Sequence, residues 1–190
     1  MDRSAGAGYG SSIVIGKDKR PLIVSWSSGV DLHVLHCGNR KCTAGNSDTT
    51  LGQTDGAPSL ALGKDGLPLI SYSFVGLTVL HCGNPACTAG NNATGVKGTS
   101  LRALGSTAIA IGKDGLPLIS YSDVGLTVLH CGNRTCSAGN RRYTVDPRGR
   151  GSSPSLTIGG DRLPLVSYAD WRHRNLKVLH CGNTLCRPHR

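Results

Sequence analysis

Glutamate is absent from the 190 residues, and all eleven acidic residues are aspartate. Methionine and phenylalanine occur once each and tryptophan twice. Glu and Met favour helix interiors and Gly opposes them. A chain with 27 glycines and almost none of the former is not a helical bundle, a coiled coil or an ordinary α/β fold. No apolar run approaches 18 residues, so no membrane-spanning helix is expected. There is no P-loop, dinucleotide fingerprint, nucleophile elbow or HExxH motif, and no cofactor is expected. Apolar residues nevertheless recur regularly, which argues against disorder. What remains is a soluble, loop-rich, all-β protein.

The chain repeats itself. Residues 59–90 read SLALGKDGLPLISYSFVGLTVLHCGNPACTAG, and residues 108–139 read AIAIGKDGLPLISYSDVGLTVLHCGNRTCSAG. Looser copies begin at Ile13 and Ser155. Each copy divides into short strand-like runs. Ser59 to Leu62 ends at Gly63-Lys64-Asp65-Gly66, and Asp-Gly marks a tight turn because Gly accepts positive φ. Leu67 to Tyr72 follows, with Pro68 near its start, where a missing N–H is tolerated. Leu77 to Cys82 is a third run, and a fourth, variable stretch starts at Cys87. Four strands in a period of 45 to 50 residues match one blade of a β-propeller. The expected fold is therefore all-β and propeller-type, with four blades of about four short antiparallel strands. The divisions are a flexible segment 1–12, repeats at 13–56, 57–105 and 106–152, and a last repeat 153–190 lacking most of its outer strand. Residues 1–12 also lack the apolar core of a secretory signal.

The string D-G-L-P-L-I-S-Y followed by L-x-V-L-H-C-G-N-x-x-C resembles tandem repeats of uncharacterised bacterial proteins. More distantly it is similar to blades of sialidase-like propellers. Asp65-Gly66, Asp114-Gly115 and the Ser-Tyr pairs at 71–72, 120–121 and 167–168 carry the resemblance. Copy 1 departs from it, with Lys19-Arg20 for Gly-Leu and Ser25-Trp26 for Ser-Tyr, and copy 4 has Arg162 at the turn glycine. The resemblance implies a propeller fold and an extracellular or cell-surface location, and it implies no particular activity.

All eight cysteines lie in C-x4-C units: Cys37/Cys42, Cys82/Cys87, Cys131/Cys136 and Cys181/Cys186. An even count with none left over suggests an oxidising compartment. If Gly-Asn-x-x is a four-residue hairpin loop, its flanking cysteines face each other on neighbouring strands, about 4.5–5.5 Å apart, within disulfide reach. Zinc is the alternative, since His36, His81, His130 and His180 each precede the first cysteine of a pair. Adjacent His and Cys on a strand point to opposite faces, however, so one unit does not converge three ligands easily. The histidine is then a strand residue whose imidazole bonds a neighbouring loop. Asn92-Ala93-Thr94 and Asn133-Arg134-Thr135 fit the N-glycosylation pattern.

The formal net charge is +10, a surface drawn to polyanions. Candidate contacts are Arg141, Arg142, Arg148 and Arg150 in one cluster and Arg172 and Arg174 in another. No basic helix or nucleic-acid motif accompanies them, which disfavours nucleic acid and leaves an acidic glycan or a second copy of the chain as partner. Near-identical repeats cannot take the differentiated roles that catalysis needs. A sialidase-like hydrolase would have to rely on singular residues such as Tyr143, Asp170, Arg172 and Arg174. The expectation is a non-enzymatic module for binding or self-assembly, with glycan hydrolysis or zinc-dependent nucleic-acid binding as alternatives.

Overall fold

The computed structural model describes residues 8–27, 30–99, 105–123, 125–147 and 151–187. These residues form fifteen strands and no helix. The strands make four antiparallel sheets, the four blades of a β-propeller, each hydrogen-bonded in chain order. Blade 1 holds β1 (Tyr9–Ile15), β2 (Pro21–Trp26), β3 (Asp31–His36) and β4 (Ser47–Gln53). Blade 2 holds β5 (Ser59–Leu62), β6 (Pro68–Ser73), β7 (Leu77–His81) and β8 (Asn92–Gly95). Blade 3 holds β9 (Thr107–Ile111), β10 (Pro117–Ser122), β11 (Leu126–His130) and β12 (Arg141–Asp146). Blade 4 has three strands among the described residues: β13 (Gly151–Ile158), β14 (Pro164–Asp170) and β15 (Asn175–His180).

The local chemistry explains the pattern. In blade 2 the first strand ends in a turn closed by Gly66 N–H to Gly63 O at 2.8 Å. Gly66 and Gly115 sit at φ +80 in this turn, whereas Lys19 and Arg162 hold the same place in blades 1 and 4 at φ 63 and 66. A proline then opens the second strand, where its missing N–H costs no ladder bond. Its carbonyl accepts the N–H of the blade's first cysteine at 2.9 Å in all four blades.

Three sequence expectations are corrected. Tyr9 to Ser12 belong to β1 rather than to a flexible segment: Tyr9 pairs with Trp26 and their rings pack 5.8 Å apart. The strand registers also make Ser25 the blade 1 equivalent of Tyr72, and Trp26 that of Ser73, one residue away from the Ser-Tyr match. Finally, β8 begins at Asn92 and not at Cys87, because the outer strand pairs only from His81 onward.

The core lies between blades. Leu22, Val24, Leu32 and Val34 of blade 1 pack on Leu60, Ile70, Tyr72 and Leu80 of blade 2. Blade 2 meets blade 3 through Leu69, Leu77 and Val79 against Ile109, Ile119 and Tyr121. Leu118, Leu126 and Val128 of blade 3 meet Val166 and Tyr168 of blade 4. Blades 2 and 3 thus each have one face packed on the preceding blade and another on the next.

Candidate functional site

Three regions concentrate polar chemistry. The first is the rim formed by the Asp-containing turns and the cysteine loops. Cys37 is bonded to Cys42, Cys82 to Cys87, Cys131 to Cys136 and Cys181 to Cys186, with Cα atoms 4.8–4.9 Å apart. The expected placement of each pair across two neighbouring strands is corrected. Cys42, Cys87, Cys136 and Cys186 lie inside the loop, on no strand, in the left-handed region at φ 54, 55, 53 and 47. The N–H of each donates to the carbonyl of its loop asparagine, which curls the chain back on the first cysteine. Gly83 allows this fold-back: a Cβ there would meet Ala89 O at 2.5 Å. The sulfurs are joined to one another, which removes the thiolates that the zinc alternative required.

The repeated histidines clip this rim together. His36 Nε2 meets Asp18 at 2.8 Å, His81 meets Asp65 at 2.9 Å, His130 meets Asp114 at 2.8 Å, and His180 meets Asp161 at 2.6 Å. The other oxygen of each aspartate accepts the backbone N–H two residues on, as from Leu67 to Asp65 at 3.0 Å. One carboxylate thus holds its own turn and the end of the third strand. Sequence reasoning anticipated an imidazole–loop bond and missed its aspartate partner, although both residues recur in every copy. Asn133, one of the glycosylation-pattern residues, uses its amide to organise the loop, bonding Ser137.

The second region is an axial cavity of about 400 Å³ where the first strands of all four blades converge. Ser12, Ser59, Thr107 and Ser155 line it with Pro58 and Pro154, and its described lining residues include no carboxylate.

The third lies in blade 4. The side chain of Asp170 is fully buried; one oxygen meets Lys177 Nζ at 2.6 Å and His173 Nδ1 at 2.7 Å. Its other oxygen accepts the backbone N–H of Arg172 and of His173. The lysine and imidazole contacts, foremost, hold this carboxyl well below the usual carboxylate range. Lys177 also reaches Asp146 at 3.0 Å, and Tyr168 donates its hydroxyl to Asp146 at 2.7 Å. Burial, then the Asp146 contact, push the Tyr168 phenol up to about 12. Above this knot the β14–β15 turn projects outward. Trp171 is 65% exposed, donates its indole N–H to Ser152, and borders a recess of about 650 Å³ shared with Arg174 and Asn175.

The sequence-predicted basic residues do not converge. Arg141 and Arg142 start β12 at the cysteine-loop end of blade 3, where Arg141 pairs with His130, and Arg142 donates to Lys97 O at 3.2 Å. Arg172 and Arg174 are exposed in the β14–β15 turn, at the opposite end of the strands. Arg148 and Arg150 lie outside the described residues. Tyr143 sits on β12 with the Arg187 guanidinium 5.5 Å over its ring, and it makes none of the polar contacts described for Asp170. Trp171 was not singled out from the sequence, and only its lack of a counterpart in the other copies marked it.

No protein-family model matches the chain, and no curated protein matches it in sequence. Solved structures do resemble it in fold. An engineered GH43 glycoside hydrolase with endo-xylanase and exo-arabinofuranosidase activity aligns over 86% of this chain and 35% of its own, with a TM-score of 0.61 and 11% identity. A NanB structure with Optactamide aligns over 87% of this chain and 28% of its own, at 0.60 and 14%. A GH43 endo-arabinanase from Bacillus licheniformis aligns over 90% and 72%, at 0.50 and 14%. The chain thus spans about a third of the first two. At such identities the likeness is one of fold: this chain is similar to GH43 and sialidase-type propeller enzymes in architecture.

Proposed function

We propose that this chain is a non-enzymatic, extracellular propeller module that binds an acidic glycan through the β14–β15 turn. The exposed indole of Trp171 beside two arginines carries the reading. Trp171 is 65% exposed, and the exposed guanidiniums of Arg172 and Arg174 have no ion-pair partner among the described residues. An indole face offers apolar area to the C–H face of a sugar ring. Guanidinium forks match carboxylates or sulfates in bidentate geometry. The four disulfides suit an oxidising environment, consistent with export.

Glycan hydrolysis is the second reading, favoured by the fold of the structural neighbours. Glycosidic hydrolysis ordinarily needs two carboxyl groups flanking the bond. The described lining of the axial cavity offers none, and Asp170 is committed to Lys177 and His173. Titration with a heparin-derived oligosaccharide, followed by calorimetry, separates the readings. Binding is expected to weaken at least about tenfold in Trp171→Ala and in Arg174→Gln, and to weaken with salt. Wild-type affinity retained in both variants would refute the turn as the site. Turnover of a fluorogenic glycoside panel would favour hydrolysis instead.

A further inference from the structure

The two end blades expose the surfaces that the internal blades bury. At the face toward the next blade, Leu32 and Val34, Leu77 and Val79, and Leu126 and Val128 occupy one equivalent pair of positions. All six are at most 1% exposed. The same pair in blade 4 is Leu176 and Val178, exposed by 73% and 64%. At the face toward the preceding blade, Leu60 and Ile109 are each 5% exposed, and their counterpart in blade 1, Ile13, is 59% exposed. Ile15 beside it is 57% exposed, and Ile23 is half-buried where Ile70, Ile119 and Val166 are fully buried. Strong packing joins β1 to β5, β5 to β9 and β9 to β13, and among the described residues no comparable packing joins blade 4 to blade 1.

These ends are complements. One is the donor half, and the other the receiving half, of an interface the chain already builds three times. We propose that blade 4 of one copy seats blade 1 of a second copy, with Leu176 and Val178 packing against Ile13, Ile15 and Ile23. A second copy is the occupant that brings the register-equivalent surface, so the contact continues the established blade-to-blade interface. The association is heterologous, head to tail, and closes into a ring or extends as a filament according to the rotation at each step. It is weaker than the internal interfaces. Those also use Leu51 or Val145 of a fourth strand, or Val96 just past β8, and blade 4 has no fourth strand among the described residues.

Leu176 of the docking face also lines the recess beside Trp171 and Arg174, so the two proposed contacts adjoin there, whereas Ile13 and Val178 lie outside that recess. The turn 171–174 stands beyond the docking face. Phe74 and Val75 occupy the corresponding turn of blade 2 and remain 39% and 62% exposed although blade 3 packs beneath them.

Sedimentation velocity on the oxidised full chain over a wide concentration range tests the assembly. The wild type is expected to grow with concentration. Ile13→Asp and Val178→Asp, each at an exposed site and each checked for native circular dichroism, are expected to weaken self-association at least about tenfold. Their equimolar mixture is expected to form a one-to-one dimer, since each variant keeps the half that the other lacks. A wild type that stays monomeric at millimolar concentration would overturn the proposal. So would a mixture that remains monomeric, or a monomer in which Ile13→Cys and Val178→Cys cross-link within one chain.

Discussion

Ser71 and Ser120 hold the same place in successive blades, yet their hydroxyls have different fates. Ser71 Oγ meets Thr107 Oγ1 of the next blade at 2.8 Å. Ser120 is buried, and its hydroxyl has no hydrogen-bond partner among the described residues; at the position of Thr107 the next blade has Pro154. Blade 1 avoids this cost with Val24, fully buried at the same position, followed by Pro58. Ser120→Val is therefore expected to stabilise the protein by about 1 kcal/mol, read as a rise of about 2–4 °C in Tm. Arg162 carries a different local cost, its left-handed φ of 66, where blades 2 and 3 use glycine. Arg162→Gly is expected to gain up to about 1 kcal/mol, and a drop in the urea midpoint would refute this. The clip aspartates bring pH into play. Burial raises the Asp65 carboxyl, but the Leu67 N–H and His81 together hold it below its ordinary 3.8, and Asp18 behaves alike with Arg20 and His36. A depressed folded-state pKa gives stability that is present above the unfolded value and lost as pH falls through the folded one. Urea midpoints should thus fall below about pH 4, with less acid sensitivity in Asp65→Asn.

At the scale of elements, each blade closes its third strand with a disulfide loop. The loop is short, so the chain-entropy estimate for one bridge is roughly 2 kcal/mol. Replacing Cys82 and Cys87 together by Ala should lower stability by about that amount, measured by chemical denaturation. Blades 3 and 4 also meet at a polar seam, where Tyr168 and Lys177 share Asp146. A phenol raised to about 12 in the folded state contributes stability that is intact below about pH 10 and lost as pH rises through 12. Ultraviolet titration should show one tyrosine ionising near 12, and Asp146→Asn should bring it down.

Across the whole molecule, burial is graded from the middle to the ends. Every residue of β6 is buried, whereas Leu176 and Val178 of β15 and Ile13 and Ile15 of β1 are exposed. Local openings cost least where few apolar contacts must break. Amide exchange in dilute solution should be slowest in β6, β7, β10 and β11 and fastest in β15 and β1. Uniform protection across all four blades would show that the ends are covered even at low concentration.

The all-β class, four blades and the strand order within each blade were legible from residues close together in the chain. Alternating apolar positions, an Asp-Gly turn and a C-x4-C loop act over a few residues, and near-identical copies repeat them four times. The pairing partners of Cys42, Cys87, Cys136 and Cys186 were legible in the same way, from spacing alone. The same local view misplaced these four residues on a neighbouring strand and shifted Trp26 by one position, because a left-handed residue inside a loop leaves no mark in composition. What the tertiary structure alone decided is which copy of each residue is buried. Leu126 and Leu176 are the same residue of the same motif, and one is fully buried while the other is 73% exposed. The difference lies in the blade that stacks against Leu126, which comes from a separate stretch of the chain. The placement of Asp170 is of this kind too: its sequence neighbours did not disclose that Lys177 and His173 would occupy it. Contacts between sheets depend on how separate segments stack, and identical sequences acquire different neighbours according to their place in the array.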